Sequence, residues 1–193
     1  MAPSPTSSSA RCVISPRRTT WPCSGQPEIS WARASAAENF VYLFEEAKQL
    51  GLPFVIHAGE CGSAENIREA VECGARRIGH GIAMKGHPDI IKLVKDTRTG
   101  VEMCPISNLQ TKAVEGPEDY PMREFLDNGL LVTVNTDNRT VSNTSISREL
   151  GFIQETYGIR DDELKLMMEN AVRVSFAGDS VKDRILKEIR AFG

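Results

Sequence analysis

The sequence lacks several features that would assign a protein to a class at once. No apolar run approaches the roughly 18 residues of a membrane-spanning helix. The 23 basic and 26 acidic residues give a net charge of -3, so there is no excess of positive charge for nucleic acid or an anionic membrane. Five cysteines form no C-x-x-C pair and are too sparse for a disulfide framework. These absences predict a soluble protein of the reducing cytoplasm that binds a small neutral ligand, with no nucleic-acid or membrane partner.

Motifs of several common enzyme classes are also absent. The chain has no G-x-G-x-x-G of dinucleotide-binding folds, no G-x-x-x-x-G-K-[ST] of P-loop proteins, no H-E-x-x-H of zinc proteases and no G-x-S-x-G of serine hydrolases. It also lacks the P-C-x-x-C of the cytidine-type zinc deaminases. Its 193 residues, 40% hydrophobic and 25% charged, are nevertheless ordinary for one globular core.

The first 35 residues differ in composition from the rest. They hold eight serines, five of the ten prolines, both tryptophans and four arginines, but a single acidic residue, Glu28. They show neither helical nor strand periodicity. Three interpretations stay open: a transit peptide, a disordered tail, or sequence that is not native to the family of the remainder, such as the product of a shifted reading frame. We therefore divide the chain into an irregular segment, 1–35, and a folded part, 36–193.

From residue 36 onward, helical and strand patterns alternate. Strand starts near residues 53, 77, 101 and 130 are about 24 to 29 residues apart, the size of a strand and its crossover helix. This alternation predicts an α/β fold with a parallel sheet, either doubly wound or a (β/α) barrel, and four units are half of a barrel. Apolar patterns predict strands over 53–59, 76–82, 101–105 and 130–137, and helices over 36–51, 63–74, 87–100, 120–129, 145–158, 160–176 and 179–193.

The unusual polar residues fall at one place in this repeat. His57 ends the first strand, His80 lies in the second, and Asp137 ends the fourth. Since the carboxyl ends of parallel strands share one face, these residues and Glu60 are expected to converge there. Histidine and aspartate are zinc ligands, and a nearby glutamate can move protons for a metal-activated water. The residue types fit metal-assisted hydrolysis.

Each of these residues also has a structural interpretation. His57 could be a satisfied histidine at a strand end, and Glu60 could favour the dipole of the following helix. His80 could be a turn residue, and Asp137 could cap a turn or a helix. The joint placement of the four residues on one face favours function over the separate structural readings. His87, before Pro88, is predicted to start a helix on the far face and receives no role.

Four motifs in order resemble one known family. They are "HAGE" at 57–60, "RIGHG" at 77–81, "CPISN" at 104–108 and "VNTDN" at 134–138. Together they resemble the C-terminal half of adenosine deaminase, a zinc-dependent (β/α)8 barrel, from about Asn39 to near the C-terminus. The resemblance implies an α/β fold made of a partial (β/α)8 TIM barrel, with about the last four βα units and the C-terminal helices.

The resemblance also implies a role for each site residue. His57 and Asp137 would be ligands of Zn²⁺. Glu60 would protonate the purine ring nitrogen N1, and His80 would orient or deprotonate the water that the metal activates. This water would attack C6 of adenosine, and ammonia would leave to give inosine, a reaction of purine salvage.

Two departures from the family pattern bear on this expectation. The family commonly has "NTDDP", so Asn138 stands where a second aspartate usually holds the purine N7, although an amide can also donate to that nitrogen. Residues 1–35 contain no histidine, whereas the first strand of the family carries an H-x-H pair that supplies two more zinc ligands. A catalytic zinc normally has at least three protein ligands, so the chain alone is expected to bind zinc poorly.

Three alternatives therefore remain. The chain could be the C-terminal part of an adenosine deaminase, with the activity belonging to the complete protein. It could be a catalytically inactive half-barrel that binds purines or another subunit, or a deaminase of adenine or another 6-aminopurine. Half a barrel leaves sheet edges unpaired, which predicts an oligomeric, insoluble or loosely packed chain unless a partner completes it.

Overall fold

The computed structural model describes residues 41–61 and 63–191. The predictions for residues 1–35, and the start of the first predicted helix at residue 36, lie outside the described residues. Strands and helices alternate, as the sequence predicts. In chain order the elements are α1 Val41–Gln49, β1 Val55–Ala58, α2 Ala64–Glu72, β2 Arg77–His80, α3 Pro88–Asp96, β3 Gly100–Met103, α4 Pro105–Gln110, α5 Met122–Asp127, β4 Leu131–Val134, α6 Arg139–Ser142, α7 Ile146–Tyr157, α8 Asp161–Val174 and α9 Asp179–Ala191.

The four strands form one parallel sheet in the order β1-β2-β3-β4. The parallel sheet predicted from the sequence is thus confirmed. Each strand pairs with the next one along the chain, and the order never reverses. A sequential order is that of a (β/α) barrel, whereas a doubly wound fold reverses its order at a switch point. The sheet therefore has the topology of a barrel segment.

Apolar residues of the sheet form the core with the helices that cover it. Ile78, Val101 and Val132 are paired across β2, β3 and β4, and all three are fully buried. Ile67 of α2 and Phe125 of α5 are fully buried in the same cluster. Burial of each such side chain contributes about 1.5–3 kcal/mol to folding. This packing keeps the four strand ends in register, and so positions the residues that follow them.

Two short helices were not predicted from the sequence. The pattern predicted a strand over 101–105, but β3 ends at Met103 and Pro105 begins α4. Proline suits the first turn of a helix because its ring fixes φ and its missing N–H has no partner there. The fourth strand was predicted to reach residue 137, but β4 ends at Val134 and α6 follows the loop. Strands of four residues and helices of four to six leave too few residues for periodicity to show.

The start of α2 is held by the backbone. Ser63 is the N-cap residue, but its side chain accepts no hydrogen bond from the helix. The backbone oxygen of Ser63 instead accepts from the N–H of Asn66 at 3.2 Å. This helix end therefore lacks the side-chain cap that serine commonly provides.

The residues that begin the strands meet the end of α8. Arg77 contacts Glu102 with a distance of 2.5 Å from Nε to Oε1, and its Nη1 donates to the Val174 carbonyl at 3.0 Å. The Arg77 guanidinium also lies over the Phe176 ring, 4.1 Å from its centroid. A Cβ at Gly100 would lie 2.9 Å from Cγ2 of Val174. The end of α8 therefore packs so closely against β3 that Gly100 has no room for a side chain.

We expect Gly100→Ala to destabilise the protein by about 1–3 kcal/mol, because overpacking of a tight contact forces neighbouring atoms to move. Urea denaturation of both proteins measures the difference. Val174→Ala removes the opposing methyl groups. In the Val174→Ala background, Gly100→Ala is therefore expected to lower the free energy of unfolding by less than it does in the wild-type chain. Equal costs in both backgrounds would contradict this contact.

None of the described helices combines the length and the apolar character that crossing a membrane requires. Among the cysteines of the described part, Cys73 and Cys104 are free and Cys61 is disulfide-bonded. The sparse cysteines predicted no disulfide framework, and the bond at Cys61 departs from that prediction. Spacing along a chain does not reveal which sulfur atoms meet in space. The cytoplasmic location stays a prediction.

Candidate active site

The predicted site residues lie at or just beyond the carboxyl ends of the strands. His57 is the third residue of β1, and His80 is the last residue of β2. Glu60 follows β1 by two residues, and Asp137 follows β4 by three. His57 and Asp137 are exposed, Glu60 is partly buried, and His80 is buried. The structure thus places all four on the edge of the sheet where parallel strands end.

Gly79 creates the space for the imidazole of His57. The two residues are paired across β1 and β2, and a Cβ at Gly79 would lie 2.4 Å from Cδ2 of His57. The His57 ring then meets His80 edge to face, with ring centroids 4.8 Å apart and an angle of 86° between the planes. Sequence reasoning gave Gly79 no role, although it lies in the "RIGHG" motif.

His80 is the most enclosed of the four residues, with 1% of its surface exposed. Its Nε2 lies 3.5 Å from Oε2 of Glu60, and its backbone adopts a left-handed φ of 68°, which is uncommon for a residue with a side chain. Burial lowers the pKa of His80 from its usual value, and the charge of His57 adds to this effect. The carboxylates of Glu60 and Asp137 act in the opposite direction. The net shift favours the neutral imidazole.

Helix α4 supplies a second group of site residues. Asn108 is fully buried, and its Nδ2 lies 3.0 Å from Nδ1 of His80 and 3.3 Å from Oε1 of Glu60. Thr111 donates its hydroxyl to the same Oε1 at 3.5 Å. The Tyr120 hydroxyl donates to Oδ1 of Asn108 at 3.3 Å, and burial raises the pKa of Tyr120 well above its usual value, which keeps the hydroxyl protonated.

Asp137 is tied to the same helix by another residue. The Ser107 hydroxyl donates to Oδ2 of Asp137 at 2.7 Å, and Asp137 has a left-handed φ of 52°. Asn138 is the N-cap of α6, where its Oδ1 accepts from the N–H groups of Thr140 at 3.1 Å and Val141 at 3.0 Å. The Nδ2 of Asn138 makes no hydrogen bond to the described residues.

A buried carboxyl group holds α4 in place. Glu149 of α7 is fully buried, and its Oε2 accepts from the backbone N–H of Ile106 at 3.2 Å, in the first turn of α4. The N-cap residue of α4, Cys104, provides no side-chain cap of its own. Burial raises the pKa of Glu149, although the Ile106 N–H, the Thr144 hydroxyl and the charge of Arg148 oppose this shift. The carboxyl group therefore binds its proton more tightly in the folded than in the unfolded protein.

A raised folded-state pKa makes the contribution of Glu149 to stability largest at low pH. This contribution is lost as the pH rises above the unfolded-state value toward the folded-state value. We expect Glu149→Gln to make the free energy of unfolding less dependent on pH above about 4.3, the ordinary glutamate pKa, because the amide does not ionise. Urea denaturation from pH 4 to 8 measures the slope. An unchanged slope would contradict the assignment, and the exposed Glu155→Gln of the same helix provides the control.

The metal-binding capacity of these residues is incomplete. Within 41–61 and 63–191, no group of three or more His, Cys, Asp or Glu side chains is placed to hold a metal ion. His57 and Asp137 have the donor chemistry of zinc ligands, and both are open to solvent. Two ligands are too few for a catalytic zinc, which takes three or four from protein. The described residues therefore fit part of a zinc site and not a whole one.

His87 is the N-cap of α3 with Pro88 at the next position, so its prediction as a helix-start residue is confirmed. The sequence signal for the α4 residues was the "CPISN" motif itself, which was quoted without a role for its members. Tyr120 and Glu149 had no local signal, because they reach the site from distant parts of the chain. The site residues that sequence reasoning missed are Gly79, Ser107, Asn108, Thr111, Tyr120 and Glu149.

The family model described as adenosine deaminase matches residues 25–192 of this chain. The curated adenosine deaminase of Enterococcus faecalis is 41% identical over 152 residues, which are 77% of this chain and 45% of that relative. The chain thus spans about half the length of the curated relatives that it matches.

Solved structures of similar fold agree with the barrel topology. Adenine deaminase from Arthrobacter aurescens superposes with a TM-score of 0.76 at 30% identity, over 79% of this chain and 47% of that one. An amidohydrolase from Burkholderia ambifaria with bound Zn superposes with a TM-score of 0.74 at 21% identity, over 80% of this chain and 44% of that one. The latter likeness concerns the fold alone. The predicted fold class, a partial (β/α)8 barrel, is confirmed.

Proposed function

The chain belongs to the adenosine deaminase family, and on this premise we propose that it supplies the C-terminal half of a zinc-dependent deaminase acting on adenosine. We assign residues 36–193 to the deaminase part, and the family match begins somewhat earlier, at residue 25. Family membership supports a hydrolase of C–N bonds in cyclic amidines. The four-stranded sheet supports a contribution of half a barrel, because eight strands close the fold.

In this proposal, His57 and Asp137 are two ligands of the zinc ion, and the other ligands come from outside the described residues. Bound zinc would act as a Lewis acid and lower the pKa of a water molecule. The donor chemistry of His57 and Asp137, an imidazole nitrogen and a carboxylate oxygen, supports zinc as the metal. The Ser107 hydroxyl, which donates to Oδ2 of Asp137 at 2.7 Å, orients that carboxylate, as hydrogen-bond donors to metal ligands commonly do.

In this proposal Glu60 carries the proton transfers and His80 orients the attacking water. The water oxygen would add to C6 of the purine while Glu60 delivers a proton to N1, and one water proton would pass to the Glu60 carboxylate so formed. The second water proton would pass to the amino nitrogen as its bond to C6 breaks, so that ammonia leaves, C6 keeps the oxygen as a carbonyl, and adenosine becomes inosine. His80 lies opposite Glu60, with 3.5 Å between its Nε2 and Oε2 of Glu60. General acid–base catalysis requires each group to come within hydrogen-bond reach of the atom it serves.

Asn138 bears on the choice of purine. Its Oδ1 is used in capping α6, which leaves its NH₂ group to donate to the acceptor N7 of a purine. N7 is common to adenosine and adenine, and the Arthrobacter aurescens relative is an adenine deaminase. Adenine is therefore the second candidate substrate. Ammonia release is measured with each purine separately at equal concentrations. The ratio of the two kcat/KM values identifies the preferred substrate.

The observation that carries the proposal is the contact set of His57, His80, Glu60 and Asn108 at the carboxyl edge of the sheet. The first experiment measures zinc per purified chain by elemental analysis after dialysis, followed by an ammonia-release assay with adenosine. About one zinc per chain with ammonia release supports the proposal. The control is His57→Ala, which is expected to lose zinc.

Negligible zinc together with no ammonia release would contradict activity of the isolated chain and favour the inactive half-barrel. Among the described residues, no strand pairs with the outer side of β1 or of β4, which gives that alternative a second measurement. Sedimentation of the purified chain reports whether it self-associates, as the unpaired edges predict.

A further inference from the structure

Asn108 makes three hydrogen bonds inside the site and is fully buried. Its Nδ2 meets Nδ1 of His80 at 3.0 Å and Oε1 of Glu60 at 3.3 Å, and its Oδ1 meets the Tyr120 hydroxyl at 3.3 Å. A buried amide with all these partners has little freedom to rotate. One side chain therefore contacts both the proposed proton donor, Glu60, and the residue proposed to orient the water, His80.

The partners determine which end of the amide faces which group. A Glu60 oxygen that carries no proton can only accept a hydrogen bond, so the NH₂ group belongs on the side of Oε1. The opposite orientation would bring Oδ1 of Asn108 against Oε1 of Glu60, two acceptors without a proton between them. The same NH₂ group faces Nδ1 of His80. That nitrogen must then accept, which leaves the proton of the neutral imidazole on Nε2.

We propose that Asn108 is a positioning residue that fixes His80 as the Nε2–H tautomer and keeps Oε1 of Glu60 as an acceptor. Oε2 of Glu60 is then the oxygen left to carry a proton to the purine. The Nε2–H of His80 points toward that same oxygen, 3.5 Å away, and can donate to the attacking water. This inference deepens the proposed function, on which its catalytic consequence rests.

The tautomer of His80 can be measured without zinc or substrate. The chain contains three histidines, so ¹⁵N-histidine labelling gives three ring systems, and His80→Gln and His87→Gln assign them. Spectra are recorded at pH 8, above the ordinary histidine pKa of about 6.5. We expect the Nδ1 signal of His80 at the position of an unprotonated ring nitrogen and its Nε2 signal at that of a protonated one.

Asn108→Asp replaces the amide donor with an acceptor of the same shape. We expect its carboxylate to draw the proton of His80 to Nδ1, so that the two ring signals exchange character. Asn128→Asp is the matched control, because Asn128 is exposed at the end of α5, and it is expected to leave the His80 signals unchanged. If Asn108→Asp does not fold, Tyr120→Phe serves as the second variant. Tyr120→Phe removes the hydrogen bond to Oδ1 of Asn108, so the amide can rotate. We then expect part of the His80 population to carry its proton on Nδ1.

Two results would overturn the inference. One is a wild-type spectrum with the proton of His80 on Nδ1. The other is a folded Asn108→Asp chain that loses thermal stability but keeps the wild-type tautomer, as a purely structural asparagine would. Failure of the ammonia-release assay counts against the proposed function alone, since the spectra require neither metal nor purine.

Discussion

Replacement of Glu60 by glutamine is expected to reduce the rate of adenosine deamination by about 10²–10⁴-fold, the usual contribution of a general acid or base. Glutamine keeps the shape of the side chain, and its amide oxygen can still accept from Asn108 and Thr111. It cannot deliver a proton to N1. Because Glu60 is not a proposed zinc ligand, the zinc content is expected to stay at the wild-type value.

The measurement compares kcat and zinc per chain for Glu60→Gln and wild type in the same preparation. Glu65→Gln is the matched control, since Glu65 is an exposed glutamate on α2 that pairs with Arg68 on the surface, and it is expected to be fully active. A Glu60→Gln enzyme with wild-type kcat would remove Glu60 from the proton transfer. Loss of zinc along with activity would instead indicate a role at the metal.

The second large effect is expected for Gly79→Ala. The added Cβ would lie 2.4 Å from Cδ2 and 3.0 Å from Cγ of His57, so the imidazole has to leave its position over β2. His57 is exposed and can swing into solvent, so the loss of stability is expected to be modest. Zinc affinity is expected to fall by about 10–100-fold, the usual effect of mutating a residue that positions a metal ligand.

Competition with a colorimetric zinc chelator measures the affinity. The ring contact between His57 and His80 provides a readout without metal, because its loss shifts the ring signals of His80. Gly151→Ala in α7 is the matched control. A Cβ there meets open space, and the change is expected to stabilise the helix by up to about 1 kcal/mol. Wild-type zinc affinity in Gly79→Ala would show that this glycine does not position the ligand.

The sequence predicted the strands and their polar ends because both signals are local. Apolar runs such as "FVI" before His57 mark a buried strand, and parallel topology then places His57, His80, Glu60 and Asp137 at one edge. The structure places these residues as the pattern indicated, while their roles stay predictions.

The contacts that support the site could not be predicted in the same way. Tyr120 and Glu149 are separated along the chain from the residues they contact, and nothing in their neighbouring sequence indicates a polar partner. Both are buried polar groups that a hydrophobic pattern counts as interruptions. Helix α4, six residues long, is also too short to show an amphipathic period. The sequence therefore indicated the reacting groups better than the residues that hold them.

The strand order has a mechanical consequence for metal binding. His57 belongs to the first strand of the sheet and Asp137 follows the fourth, so three strand spacings, roughly 14 Å at about 4.8 Å each, separate them along a flat sheet. Both side chains can reach one ion only if the sheet curls around a common axis. The curvature of the sheet would then set the distance between the side chains of His57 and Asp137. An ion bound by both side chains would oppose flattening of the sheet. A change in the curvature of the sheet is therefore expected to change the affinity for the metal as well.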